Sequence, residues 1–178
     1  MKNCPCIFFL IKLEVLFATK IQEPGEVSGL YGIRTIGELT GENQKKKFLS
    51  GIDTFILKIK NRSRKQMTKE QQMKIICSNI ELACKKAEAD KVYLTGSEIE
   101  KLNPQWMNDI KELLVAAGIT VSKGENISYD AKSLKDMAEA GQVVFVEQVG
   151  VSLYQEVEKE VRMARENDVD IIGSIIIL

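Results

Sequence analysis

Two short apolar runs near the carboxyl end constrain the fold most: V-V-F-V at 143–146 and I-I-I-L at 175–178. A strand with one wet face alternates polar and apolar residues, and these runs do not alternate. They read as strands covered on both faces, the habit of parallel sheets whose crossover helices lie above and below. The chain between and before them supplies those helices. Thr68, with Gln71 three residues on, has the capping-box spacing. Met73, Ile76, Cys77, Ile80, Cys84 and Ala87 then recur on one helical face. Lys91–Thr95 reads as a strand. Asn103-Pro104 opens a helix whose face is Met107, Ile110, Leu113, Leu114 and Ala117, with Gly118 as its stop. Ile119–Ser122 is a short strand, Asp130 caps a helix ended by Gly141, and Val143–Glu147 is a strand. Ser152 and Gln155 suggest a second capping box, before a helix burying Tyr154, Val157, Val161 and Ala164. Ile171–Leu178 closes the series. Helices and strands alternating at this spacing predict right-handed crossovers and a three-layer α/β sandwich with a mainly parallel sheet over 68–178.

The balance of charge narrows the function classes. The 178 residues carry 25 basic and 25 acidic side chains and no histidine. A generic nucleic-acid binder is usually basic, so none is expected as partner. Without histidine there is no imidazole acid–base chemistry, no Ser-His or Cys-His dyad and no His-ligated zinc. Cys4 and Cys6 are separated by one residue, not the two of a redox or zinc knuckle. Cys77 and Cys84 are two helical turns apart, about 10 Å, too far for a disulfide. All four read as small core residues, and no metal site is expected.

Ahead of Thr68 the pattern weakens. Residues 1–21 hold an apolar stretch, CPCIFFLIKLEVLF at 4–17, shorter than the roughly 20 residues of a spanning helix and interrupted by Lys12 and Glu14. Three readings stay open: an element packed on the domain, a membrane-associating segment, or the stub of a longer membrane helix. Residues 22–67 read as an irregular, linker-like segment. Pro24, Gly25, Gly29, Gly32 and Gly37 suggest loop, with at most a short strand around Ile33–Leu39, and a short helix is expected within 49–60. Charge is unevenly spread, +7 over 41–75 against −5 over 126–178. The basic cluster of Lys45, Lys46, Lys47, Lys58, Lys60, Arg62, Arg64 and Lys65 is read either as a solvated face or as a membrane-proximal surface for an anionic leaflet.

Open parallel sheets bind ligands at the carboxyl ends of their strands, so chemistry is sought there. The first strand of the domain runs into T-G-S-E-I-E-K-L-N-P at 95–104. A phosphate-cradling loop needs G-x-x-x-x-G-K-[ST]. Here Gly96 stands alone, and Glu98 and Glu100 bring negative charge. Gly96, Ser97, Ser122 and Gln148 are the candidate ligand-loop residues. Glu147 beside Ser97 or Lys123 is conceivable as a general base, but loop polarity explains these residues more simply. No catalytic residue and no cofactor is assigned.

Four segments carry a family resemblance: L-T-G-S-E, V-A-A-G-I-T-V-S, Q-V-V-F-V-E-Q-V-G-V-S-L-Y-Q-E-V-E-K-E and V-D-I-I-G-S-I-I-I. Together they resemble the carboxy-terminal cytoplasmic region of Wzz-type polysaccharide chain-length determinants, the polysaccharide copolymerases. Q-E-P-G-E-V-S-G-L-Y-G-I-R-T-I-G-E-L at 22–39 resembles the segment after their second membrane helix. The related bacterial tyrosine kinases share the layout, with a helix like Q-Q-M-K-I-I-C-S-N-I-E-L-A before the phosphate-loop strand. This sequence departs from the kinases: the phosphate loop after Leu94 is missing, the 143–147 strand ends in Val-Glu-Gln rather than Asp-x-Pro, and a terminal tyrosine cluster is absent. The resemblance implies a degenerate, phosphate-loop-less kinase-like fold at the cytoplasmic face of the membrane, non-catalytic and acting in capsular or exopolysaccharide biosynthesis and chain-length control. Implied partners are membrane polysaccharide-assembly proteins or a tyrosine kinase, an anionic membrane surface, and a second copy of the chain. The alternative from the residues alone is a small flavodoxin-like or sugar-nucleotide-binding enzyme domain.

Overall fold

The computed structural model describes residues 19–40 and 67–178. The expected helix within 49–60, the apolar stretch 4–17, Cys4 and Cys6, and the basic residues 45–65 lie outside the described residues. The elements run α1 (Gly25–Tyr31), β1 (Thr35–Leu39), α2 (Lys69–Lys86), β2 (Lys91–Thr95), a 3-10 turn (Ile99–Lys101), α3 (Pro104–Ala116), β3 (Thr120–Lys123), α4 (Ala131–Ala140), β4 (Gln142–Gln148), α5 (Tyr154–Glu166) and β5 (Asp170–Ile177).

All pairings among these five strands are parallel and the strand order is β1-β5-β4-β2-β3. Direction of travel dictates which face each helix covers, because crossovers are right-handed. The moves from β1 to β2 and from β2 to β3 run one way across the sheet, and α2 and α3 share one face. There Met73, Ile76, Ile80, Trp106, Ile110 and Leu114 pack with Val92, Leu94, Val144 and Ile175. The moves from β3 to β4 and from β4 to β5 run the other way, and α4 and α5 take the opposite face. Met137, Val157 and Val161 pack there with Tyr93, Phe145 and Ile176, joined by Val27 of α1. The three-layer α/β sandwich expected from the apolar runs is therefore the observed architecture.

The helix ends follow the residues that mark them. Thr68 and Gln71 form the expected capping box, Asn103 accepts from Gln105 N, and Asp130 accepts from the Lys132 and Ser133 amides. Ser152 departs from expectation. The residue preceding α5 is Leu153, with no side-chain cap, and the Ser152 hydroxyl instead accepts from Gln148 N at 2.8 Å. Cys77 and Cys84 are buried thiols, and burial pushes Cys77 up to about 11, as a core role requires.

Within the segment before Thr68, the short strand expected around Ile33–Leu39 is present as β1, but residues 22–40 are not linker in this fold: they hold α1 and this edge strand of the same sheet. α1 forms despite its glycines because Glu26 folds back to accept from Gln22 N and Glu23 N, and Gly32 ends it at φ +67°. Tyr154 Oη donates to Glu26 Oε2 at 2.6 Å and Tyr31 Oη donates to the Tyr154 carbonyl at 2.8 Å, fixing α1 to α5. Residues 19–21 lie along the loop before α5, through Ile21 N to Ser152 O and Gly150 N to Ile21 O. α2 also bonds the backbone of β1, where Asn79 Nδ2 donates to Ile36 O at 2.9 Å.

Leu39, at the end of β1, is fully buried against the α2 face. Leu39→Ala is expected to lower the unfolding free energy in urea by about 2–5 kcal/mol. An unchanged urea midpoint would mean that β1 is an appendage of the sheet and not part of its core.

Candidate functional site

β2 and β4 are neighbours, yet the chain leaves them toward opposite faces, β2 to α3 and β4 to α5. That makes their carboxyl ends the topological switch point, where α/β sheets open a crevice. The structure fills this crevice with the protein's own polar groups. Thr95, Ser97, Asn126, Glu147, Ser152 and Glu160 are all at most 5% exposed.

Each group is delivered by its element. Thr95 ends β2, and Gly96 lets the chain pass directly over β4: a Cβ there would lie 2.0 Å from the Val146 carbonyl oxygen. Ser97 is the next residue. Glu147 is near the end of β4, two residues after Phe145, so pleat alternation turns it to the α4/α5 face. Glu160 comes from the apolar stripe of α5, among Val157, Val161 and Ala164.

Glu147 is the hub. Ser97 N donates to its Oε1 at 3.2 Å and Ser97 Oγ to its Oε2 at 2.6 Å, and the Ser152 hydroxyl also bonds it. Asn126 Nδ2 donates to Ser97 O at 3.0 Å, so the amide, hydroxyl and carbonyl of Ser97 are all engaged. Glu160 takes the Ile127 amide and lies 3.5 Å from Thr95 Oγ1 through Oε1, while its Oε2 is buried without a partner. Thr95 has one hydroxyl proton and gives it to Glu125 O at 2.8 Å.

Burial pushes Glu147 up to about 7, against the lowering effect of its Ser97 and Ser152 bonds. Burial and then the Glu147 charge drive Glu160 well above the ordinary carboxylate range. Between its ordinary value and about pH 7 the folded chain keeps a proton at Glu147 that the unfolded chain has lost. Stability from this group is therefore greatest below that interval and falls as pH rises through it.

A carboxylate beside a serine hydroxyl can act as its base. Here Glu147 is fully enclosed and Ser97 nearly so, each satisfied by the other. An open cavity lies beside this cluster, at the ends of β2 and β3. Its volume is about 580 Å³, and its lining joins apolar Ile99 and Leu102 to Lys123 and Lys132 and to the acids Glu100, Glu125 and Asp130. Of the sequence candidates, Gly96 and Ser97 join the buried cluster, and Gln148 touches it through its amide bond to Ser152 Oγ. Ser122 stays apart: it lies on β3, pairs with Tyr93 of β2 and is exposed. Among these four, none lines the cavity. Glu160 and Asn126 were missed by the sequence reading, and a single acid on the stripe 157-161-164 was the available sign of the first. No group of three metal-ligating side chains occurs among the described residues.

With this geometry in place, the architecture proves similar to that of a tyrosine kinase domain. The solved "BceF Tyrosine Kinase Domain" aligns with a TM-score of 0.56 at 10% identity, over 89% of this chain and 98% of that one. Identity this low establishes a shared fold and nothing about activity. The chimerical protein CapA2B2 (10% identity, 87% of this chain and 98% of that one) and the kinase domain of Escherichia coli tyrosine kinase ETK (9%, 86% and 93%) reach TM-scores of only 0.42 and 0.41. No protein-family model and no curated protein sequence matches the chain. No helix among the described residues is long and apolar enough to cross a membrane.

Ser97→Ala removes a hydroxyl donor from a fully buried carboxyl. It is expected to cost about 1–3 kcal/mol in urea unfolding at pH 8, where the carboxyl is most ionised. No loss at pH 8 would show that the Ser97–Glu147 bond does not hold this end of the sheet.

Proposed function

We propose that this chain is a non-catalytic cytoplasmic module with a tyrosine-kinase-like fold. It acts in capsular or exopolysaccharide biosynthesis by docking on membrane-bound assembly machinery or on a tyrosine kinase, beside an anionic membrane surface. The observation that carries the reading is the Ser97–Glu147 pair at the switch point. Nucleotide-binding sheets present free backbone amides there to a ligand phosphate. Here the Ser97 amide is spent on an internal carboxylate, and Glu98 adds further negative charge nearby. The sequence supplies neither the second glycine nor the Lys-Ser/Thr pair of a phosphate loop. The fold shared with a tyrosine kinase domain and the Wzz-like segments at 22–39 and 95–177 support the assignment to polysaccharide assembly and chain-length control. The apolar 4–17 stretch and the basic 45–65 cluster support a place at the inner membrane face.

The open cavity, with its apolar residues and Lys123 and Lys132 beside the acids Glu100, Glu125 and Asp130, is the ligand-sized space that the second reading needs, a small flavodoxin-like or sugar-nucleotide-binding domain. Titration calorimetry separates the two. The first predicts no heat with magnesium–ATP, a flavin nucleotide or uridine-diphosphate sugars at micromolar concentration. It also predicts that deleting the gene in its host shifts the size distribution of the surface polysaccharide. Micromolar affinity for any of these nucleotides, or an unchanged polymer distribution in the deletion strain, would contradict it.

A further inference from the structure

The sheet has a step at the amino end of its strands. β5 pairs with β4 from its first residue, Asp170, but β1 joins its other side only from Ser174 onward, where Ser174 N donates to Arg34 O at 2.9 Å. Gly173 lets the chain before β1 come in at this level, since a Cβ there would lie 2.4 Å from the Arg34 carbonyl oxygen. Residues 170–172 therefore have a strand on one side and, among the described residues, none on the other. Ile172 is also the extra residue of a bulge, because Val143 pairs with Ile171 and Val144 with Gly173.

Between this step and the last turns of α2 lies a cavity of about 490 Å³. Leu82, Ile171 and Ile172 give it an apolar wall, and Leu82 is 64% exposed. Gln142, the first residue of β4, lines it too. That side chain is only 5% exposed, yet its Oε1 is buried without a hydrogen-bond partner. Native chains rarely leave a buried amide oxygen unsatisfied. Arg34 and Lys86 stand at the same cavity, and among the described residues neither makes an ion pair. Asp170 is the one acid of the lining.

A small anion would answer the two cations and nothing else, and a purely apolar ligand only the wall. An extended peptide answers every group: backbone for the open side of β5, an N–H for Gln142, an apolar side chain for Leu82 and Ile172, and a carboxylate for Arg34 and Lys86. The residues that border positions 1–18 and 41–66 sit at the other end of the sheet. Thr19 O accepts from Tyr154 N after β4, and Thr40 N donates to Gln72 near the start of α2.

We propose that this step is a docking site for a short extended segment of a partner protein, an apolar residue next to an acidic one, which adds to the sheet beside residues 170–172. It lies at the opposite end of the sheet from the switch point, and it stands or falls apart from the role in polysaccharide assembly.

Nitrogen-15 NMR of the full-length chain, titrated with acetyl-Val-Leu-Asp-Val-amide to about 5 mM, tests the site. Saturable shifts are expected at the amides of Leu82, Lys86, Gln142, Ile171 and Ile172, with a millimolar dissociation constant that rises with salt. The uncharged counterpart acetyl-Val-Leu-Asn-Val-amide should bind about fivefold more weakly. In the variant R34E/K86E, which changes two exposed side chains, the Asp peptide should lose its advantage over the Asn peptide. If that variant does not fold, the comparison of the two peptides on the parent chain still decides. No saturable shift, shifts confined to another face, equal affinity for the two peptides, or an advantage that survives R34E/K86E would overturn the proposal. Shifts at these residues that grow with protein concentration alone would assign the step to a second copy of the chain and would overturn it as well.

Discussion

The hold of the Glu147 carboxyl on Ser97 is the interaction on which the functional end of this sheet depends. A buried carboxyl is costly unless its oxygens are bonded, and both are: one to an amide, one to a hydroxyl. Those bonds fix the first residues after β2, and that loop sets the entry to α3. Gly96 is the steric condition for the arrangement, since the chain there runs against the Val146 carbonyl. Asn126 completes it by taking the remaining backbone group of Ser97. Three chain segments far apart in sequence are thus tied together at the end of β4, with Glu147 holding Ser97 and Asn126 holding Ser97 in turn.

The position of this side chain is a consequence of topology. Right-handed crossovers put α2 and α3 on one face and α4 and α5 on the other, and the change of direction at β2 and β4 leaves a gap between their carboxyl ends. A nucleotide-binding sheet uses that gap for a ligand. This chain fills it with two acids, two serines, a threonine and an asparagine. The likeness to a tyrosine kinase domain extends to the arrangement of strands and helices. At the switch point of this chain the buried Glu147 carboxyl accepts from the Ser97 amide and hydroxyl.

Much of the α/β core was legible because periodicity reports burial. The non-alternating runs 143–146 and 175–178 became the strands buried on both faces, and Met73, Ile76, Ile80 and Cys84 became the buried stripe of α2. The first 40 residues were harder to read. Glycines at 25, 29 and 32 resemble loop punctuation, whereas α1 is held by Glu26 and by tertiary bonds to Tyr154 that no local pattern displays. The site was legible in part. Gly96 and Ser97 stand where a strand-end loop is expected, but the bond between Ser97 and Glu147 spans 50 residues. Glu160 is one acid on an apolar stripe and reads locally as solvated. Ser152 satisfies the spacing rule for a helix cap, yet the strand-end amide of Gln148 and the carboxyl of Glu147 are its partners. Long-range hydrogen bonds decided these positions, and they leave no periodic trace.

The central claim is that two buried carboxyls, Glu147 and Glu160, occupy the switch point, and it is tested most directly by carbon-13 NMR titration of the glutamate side-chain carboxyls in the folded protein. Assigned with E147Q and E160Q, the account predicts one carboxyl titrating near pH 7 and its partner displaced further upward, with the exposed glutamates at ordinary values. Two carboxyls at positions 147 and 160 that both titrate near pH 4–5 would show that neither is buried with a proton, and the account of this site would be wrong.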